Sequence, residues 1–218
     1  ATLDELFAAA EPLREAGYIP LAHGGQAWQD ATLFEDIVLA TAGTDYYRRA
    51  LVDLDPEALG GEPMIEALST FKRLRDLMDD DMSGRDWNIA TAMVIEGEAG
   101  FQLMGDWAKG EFTAAGLTAG EDYLCAAAPG TEDAFTFNID SLAMFRVTDD
   151  AEREAQQTLA RLVLEPTFQE AFNLAKGSIP ARPDLDMSEF DRCAQQSLAD
   201  FQRTADEGGL VPSMAHGM

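Results

Sequence analysis

The chain has 218 residues, and 15 Lys and Arg against 40 Asp and Glu leave a formal charge of −25. At 46 % apolar and 25 % charged, it can bury a sizeable core, which excludes wholesale disorder. No apolar run is long enough to offer a membrane-spanning helix, and the acidity makes nucleic acid and anionic lipid poor partners.

Thr2 and Glu5 carry a capping-box signature, so a helix is predicted over residues 2–16, with Leu3, Leu6, Phe7, Ala10 and Leu13 at helical spacing. Gly17 stops it, and Pro12 is expected to kink it or end its first part. Residues 18–22 read as a short strand leading into the loop His23-Gly24-Gly25-Gln26. A helix follows over 28–42 on the stripe Leu33, Phe34, Ile37 and Val38, then a shorter one over 46–51 and a polar connection over 53–61. Pro63 opens a long helix to Met78 whose predicted apolar face is Met64, Leu68, Phe71, Leu74 and Met78. Asp79-Asp80-Asp81 reads as its solvated end, because no calcium-loop spacing continues.

The middle of the chain holds three strand candidates, over 100–105, 122–127 and 135–147. Helices are predicted at 107–115, 150–164, 166–175 and 188–203, which makes the fold α/β with helix in excess. Neither a repeat nor a low-complexity linker divides the chain. Residue 1 is Ala, no signal-peptide pattern opens the sequence, and it closes on Met214-Ala215-His216-Gly217-Met218 without a polar tail. Both ends read as cut, so a piece of a longer protein is expected.

The enzyme templates fail: there is no P-loop, no G-x-G-x-x-G after a strand, no G-x-S-x-G and no H-E-x-x-H. Acidic residues are so many that paired carboxylates mean little. The two His and two Cys lack metal-ligand spacing, so neither a metal nor any other cofactor is expected. Cys125 and Cys193 read equally as two buried thiols or as a disulfide closing a long loop.

What remains is a set of aromatic and polar residues at loops and element ends. Trp87 and Trp107 sit among turn residues, and an indole face suits the C–H face of a pyranose. Asp140, Lys176 and His216 are of the kind that read sugar hydroxyls by charge-assisted hydrogen bonds. Each has a blander reading. A lone Trp is usually core, Lys176 could complement a helix C-terminus, His216 could be a spectator, and His23 could be a satisfied turn histidine. Asp140 is less easily dismissed, since a carboxylate in an apolar strand needs a partner.

Taken in order, the segments Leu21-Ala22-His23-Gly24-Gly25-Gln26-Ala27-Trp28, Gly105-Asp106-Trp107-Ala108, Phe137-Asn138-Ile139-Asp140-Ser141, Lys176-Gly177-Ser178-Ile179-Pro180 and Met214-Ala215-His216-Gly217 are more specific than any one alone. Together they resemble the family 1 extracellular solute-binding proteins that serve bacterial ABC importers, and within that family the glucose-binding members. The resemblance covers essentially the whole chain. It implies a helix-rich lobe of a two-lobed (type II) binding protein, periplasmic, non-enzymatic and without cofactor. Such a protein captures a monosaccharide such as glucose by closing a cleft, and presents it to the importer's permease subunits. In that comparison Trp87 and Trp107 stack on or flank the sugar, Asp140, Lys176 and His216 hydrogen-bond it, and Gln26 and Trp28 lie near the cleft. Cys125 and Cys193 match a cysteine pair of close relatives, which an oxidising periplasm would join.

Family members are about twice this long. The resemblance assigns residues 1–133 and 180–218 to the second lobe, and 134–179 to a strand and helices that return to a first lobe preceding residue 1. Apolar surface on 134–179 would then invite self-association or a fragment carrying that lobe, and this chain alone should bind sugar weakly or undetectably. Two rival readings remain at this point: a carbohydrate-active enzyme using paired carboxylates, and a self-associating interaction module.

Overall fold

The computed structural model describes residues 1–182 and 184–216. Helix α1 (Leu3–Glu15) begins on the expected capping box. The Glu5 amide donates to Thr2 Oγ1 at 3.2 Å, and the Thr2 amide donates to the Glu5 carboxylate at 2.7 Å. A cap of this kind is worth ~1 kcal/mol. Pro12 does not end the helix, which runs on to Glu15. The residue forfeits only its own amide bond near the helix end, while Leu6 and Ala10 are buried and hold the helix down.

Strand β1 (Ile19–Ala22) pairs in parallel with β2 (Ala99–Gln102), placing Ile19 opposite Ala99 and Leu21 opposite Phe101. No tight turn can close a parallel pair, so the crossover carries helices: α2 (Ala27–Tyr47), α3 (Pro56–Leu59), α4 (Glu62–Arg75) and α5 (Trp87–Ile95). The main core lies where α2 packs on α4, with Leu33, Ile37 and Val38 facing Met64, Ala67 and Leu74. Leu68, expected on that face, is 51 % exposed, and Ala67 takes the buried position. Gly43 breaks α2 at φ 78°, ψ 176°, a backbone that only glycine adopts without strain, so the predicted stop at Ala42 is real. The chain then continues as a helix into a π-turn over Arg48–Val52. The expected polar connection contains α3, capped by Asp55, which accepts from the Glu57 amide at 2.9 Å.

Helix α6 (Lys109–Ala114) follows β2. A second parallel pair joins β3 (Phe135–Phe137) to β4 (Leu210–Pro212) across α7 (Asp150–Leu162), α8 (Pro166–Lys176) and α9 (Arg192–Glu207). Buried Lys109 ion-pairs with Asp191 at 2.8 Å, and Asp191 also caps α9 by accepting from the Ala194 amide. Burial would raise the Asp191 pKa, but the ammonium and the cap amides hold it below the ordinary carboxylate value.

Several expectations need correction. Residues 122–127 are not a strand: Tyr123 makes only an isolated bridge to Ala119, and Leu124 is exposed. That segment is tied down by a disulfide between Cys125 and Cys193, whose Cα atoms lie 6.0 Å apart. The strand expected over 135–147 is paired only over Phe135–Phe137. Beyond it, Ile139, Leu142 and Phe145 stand exposed without a neighbouring strand. Besides α3, two further elements were not anticipated. Helix α5 begins in the segment read as a loop around Trp87, and β4 is too short to show a period. Helix α9 starts at Arg192 rather than near 188 because Asp191 is the better cap. No residue of α7 is buried, and α8 meets the rest of the molecule chiefly through α6.

Reduction of the disulfide frees a loop of 68 residues. The chain-entropy model makes that worth about 4 kcal/mol, so Cys125→Ser is expected to lower the Tm by about 10 °C. An unchanged Tm would show that other contacts already hold 122–127 in place.

Asp36 on α2 is half-buried, and burial first, then the charge of Glu35, push its pKa from 3.8 up to about 7. The folded chain therefore binds the extra proton between those values, and stability falls as pH rises from 4 to 7. Asp36→Asn is expected to raise the Tm by about 5 °C at pH 8 and scarcely at pH 4. Thermal scans at the two pH values check this, and a gain of equal size at both would rule out an ionised Asp36 as its source.

Candidate functional site

The loop after β1 lies so close to its neighbours that two glycines are required. A Cβ on Gly24 would stand 2.1 Å from the Gln29 amide, and one on Gly25 would stand 2.2 Å from the Met82 carbonyl. With the loop seated, the Gly25 amide donates to the Arg85 carbonyl at 3.0 Å. Arg85 in turn forms an ion pair with Asp79 and donates to the His23 carbonyl. His23 is buried, with Nε2 3.0 Å from Asp30 Oδ1, and burial pushes its pKa down. It is the satisfied turn histidine.

Gln26 spends its amide within the protein. Its Oε1 accepts from Trp28 Nε1 and from Gln29 Nε2, each at 2.9 Å, and its Nε2 donates to Asp86. Gln26 is near the cleft but stands behind its lining. It fixes the Trp28 indole, which lines the cleft.

Trp107 sits in a 3-10 turn over Asp106–Ala108. A Cβ on Gly105 would meet the Trp107 ring at 2.1 Å, so the indole folds back over bare backbone. Asp106 accepts from Ser178 Oγ at 2.9 Å and from the Ile179 amide at 3.1 Å. Burial raises its pKa, and these two donors oppose that rise. Beside this joint the start of α6 touches the end of α8, where a Cβ on Gly110 would lie 2.8 Å from the Lys176 carbonyl. The joint sets the place of Lys176, which ion-pairs with the exposed carboxylate of Asp140.

His216, from the segment after β4, stands edge-on to both Trp107 and Trp28, with ring centroids 5.0 and 5.6 Å away. These residues converge. Trp28, Trp87, Trp107, Asp140, Lys176 and His216 line one open cleft of about 660 Å³, joined by Asn138 and Glu111. The loops that follow all four strands reach this cleft or carry its walls, which is where open α/β sheets place their ligands. Half-buried indole and imidazole rings make one wall, and the Asp140–Lys176 pair makes a polar rim. Such a surface suits a ligand with apolar C–H faces and a hydroxyl periphery. Among the described residues no cluster of His, Cys, Asp or Glu could hold a metal ion.

Asn138 and Glu111 were missed by the reading of the sequence. Asn138 lies two residues before Asp140 on the same side of an extended chain, and Glu111 lies four after Trp107 on one helical face. Those spacings could have found both.

The description "Bacterial extracellular solute-binding protein" matches residues 1–166. A "Probable sugar-binding periplasmic protein" of Brucella suis biovar 1 (strain 1330) is 51 % identical over 214 residues, covering 98 % of this chain and 50 % of that one. A protein of the same description in Rhizobium meliloti (strain 1021) is 49 % identical over 216 residues, covering 99 % and 52 %. The chain thus spans about half the length of the curated relatives it matches. Among solved structures, a chitin oligosaccharide binding protein has the same fold, with a TM-score of 0.72 at 17 % identity over 98 % of this chain and 54 % of that one. The chain belongs to the family of bacterial extracellular solute-binding proteins.

Proposed function

We propose that this chain is about half of a periplasmic receptor that captures a hexose such as glucose and delivers it to an ABC importer without chemically changing it. The observation that carries the reading is the convergence of three indoles, one imidazole and a Lys–Asp pair on a single cleft. Trp87 and Trp107 stack on or flank the pyranose, Trp28 completes the aromatic wall, and Asp140, Lys176 and His216 hydrogen-bond its hydroxyls. Gln26 acts behind the wall by holding Trp28. The relatives described as sugar-binding and periplasmic support this assignment, and the disulfide suits an oxidising compartment.

In this reading residues 1–133 and 180–218 form one lobe, and 134–179 pack on another. The apolar side chains standing exposed on that segment, among them Leu142, Phe145, Leu162 and Phe172, support the division. Sugar closes the two lobes, and the permease recognises the closed form.

Calorimetry with glucose, galactose and xylose tests the proposal on this chain and on a version extended with the amino-terminal half of the Brucella suis relative. The extended protein is expected to bind a hexose, and this chain at least 100-fold more weakly. Removing one charged hydrogen bond is worth about 1.5–3 kcal/mol, so Lys176→Ala in the extended protein should cost roughly 10- to 100-fold in affinity. Absence of sugar binding by the extended protein would sink the assignment, and turnover of an aryl glycoside would replace it with an enzyme. Sedimentation velocity gives a separate check on the lobe division. The isolated chain should gain mass with concentration, and Phe145→Glu together with Leu162→Glu should suppress that gain.

A further inference from the structure

Glu35 is almost wholly buried at 1 % exposure, yet none of the ion pairs among the described residues includes it. Its compensation comes from donors, nearly all on one short segment at the far end of the chain. Ser213 Oγ donates to Oε1 at 2.6 Å, and the Met214 and Ala215 amides donate to Oε2 at 2.6 and 3.2 Å. The Tyr47 hydroxyl lies 2.9 Å from Oε2 and 2.8 Å from the Pro212 carbonyl. A buried carboxylate accepts only, so the segment after β4 must turn its N–H and O–H groups inward to meet it.

The consequence passes to His216. Ser213, having given its proton to Glu35, accepts from the His216 amide at 3.1 Å. At the ring, Nε2 lies 2.9 Å from Thr32 Oγ1, and that hydroxyl donates to the Trp28 carbonyl at 2.9 Å. A carbonyl cannot give a proton, and Thr32 has only one to give. The hydrogen on the His216–Thr32 contact is therefore the imidazole's own.

We propose that Glu35 is a positioning residue for sugar recognition. Through Ser213–Ala215 it holds His216 as the Nε2–H tautomer against Thr32, which leaves Nδ1 as a hydrogen-bond acceptor for a hydroxyl that the ligand donates. The claim about the ligand rests on the proposed sugar-receptor reading, whereas the claim about the tautomer does not. Specificity follows from the arrangement: a ligand that offers only an acceptor at this position, such as a fluoro-sugar, is refused.

The chain contains only two histidines, so both rings can be read by long-range ¹H–¹⁵N NMR at pH 8. His216 is expected as a single Nε2–H tautomer in the unaltered chain. In Glu35→Gln and in Ser213→Ala it should become a mixture of the two, while the His23 signals, set by Asp30, stay unchanged and report an intact fold. If Glu35→Gln does not fold, Ser213→Ala and Thr32→Val decide the matter on their own. A His216 carrying its proton on Nδ1, or a tautomer indifferent to the substitutions that fold, overturns the proposal. In the extended protein, Glu35→Gln or Ser213→Ala should weaken hexose binding about tenfold, with a larger penalty for hydroxyl than for fluoro analogues. Should the unaltered extended protein bind no sugar while the tautomer result holds, the receptor reading fails and the positioning role of Glu35 stands.

Discussion

The structure turns on a buried carboxylate, Glu35, that none of the ion pairs among the described residues includes. Glu35 lies 178 residues from Ser213, and between them the chain passes through three of its four strands and most of its helices. Until β4 arrives beside β3, every donor that compensates the carboxylate except the nearby Tyr47 hydroxyl is absent. A lone buried carboxylate is costly, so the folded state of α2 is complete only when the far end of the chain has docked. Folding and site assembly are thereby one event, because the segment that satisfies Glu35 also carries His216 to the two indoles.

Much of the fold follows from local signals. The capping box at Thr2 and Glu5, the stripe on α2 and the break at Gly43 arise from short-range sterics and hydrogen bonding, which the sequence displays directly. The errors arise where tertiary context overrides propensity. Residues 122–127 and 138–147 have strand-like composition but no partner strand, and a strand without a ladder does not form. Three-residue β4 exists only because β3 is there to pair with it.

The site was legible in residue type and illegible in arrangement. Aromatic and polar residues at element ends marked out Trp107, Asp140, Lys176 and His216, and the structure brings them to one cleft. What the pattern could not show was which side chains face the cleft and which hold others. Gln26 looked like a partner to Trp28 and proves to be its support. Asp106 stood within a quoted motif without a role, yet its carboxylate joins the turn of Trp107 to the backbone beyond Lys176. Glu35 gave no signal at all. A carboxylate on the face of a helix reads as solvated until a distant segment is known to cover it.

The two walls of the cleft are built to different standards. The indole and imidazole wall is held from behind by amide, carboxylate and hydroxyl contacts, and by glycines whose backbone admits no side chain. The Asp140–Lys176 wall belongs to the segment with an unburied α7, joined to the rest through β3, the Asp106 contacts and the Gly110–Gly177 approach. That joint is narrow and partly polar, so turning about it would disturb few apolar contacts. Ligand hydroxyls that bridge Lys176 and His216 would supply differential affinity for one relative placement of the walls, and only differential affinity can shift such an equilibrium. In the proposed receptor reading, a firmly held wall that defines the ligand's face, set against a lightly jointed wall that the ligand draws in, would convert capture into a change of shape.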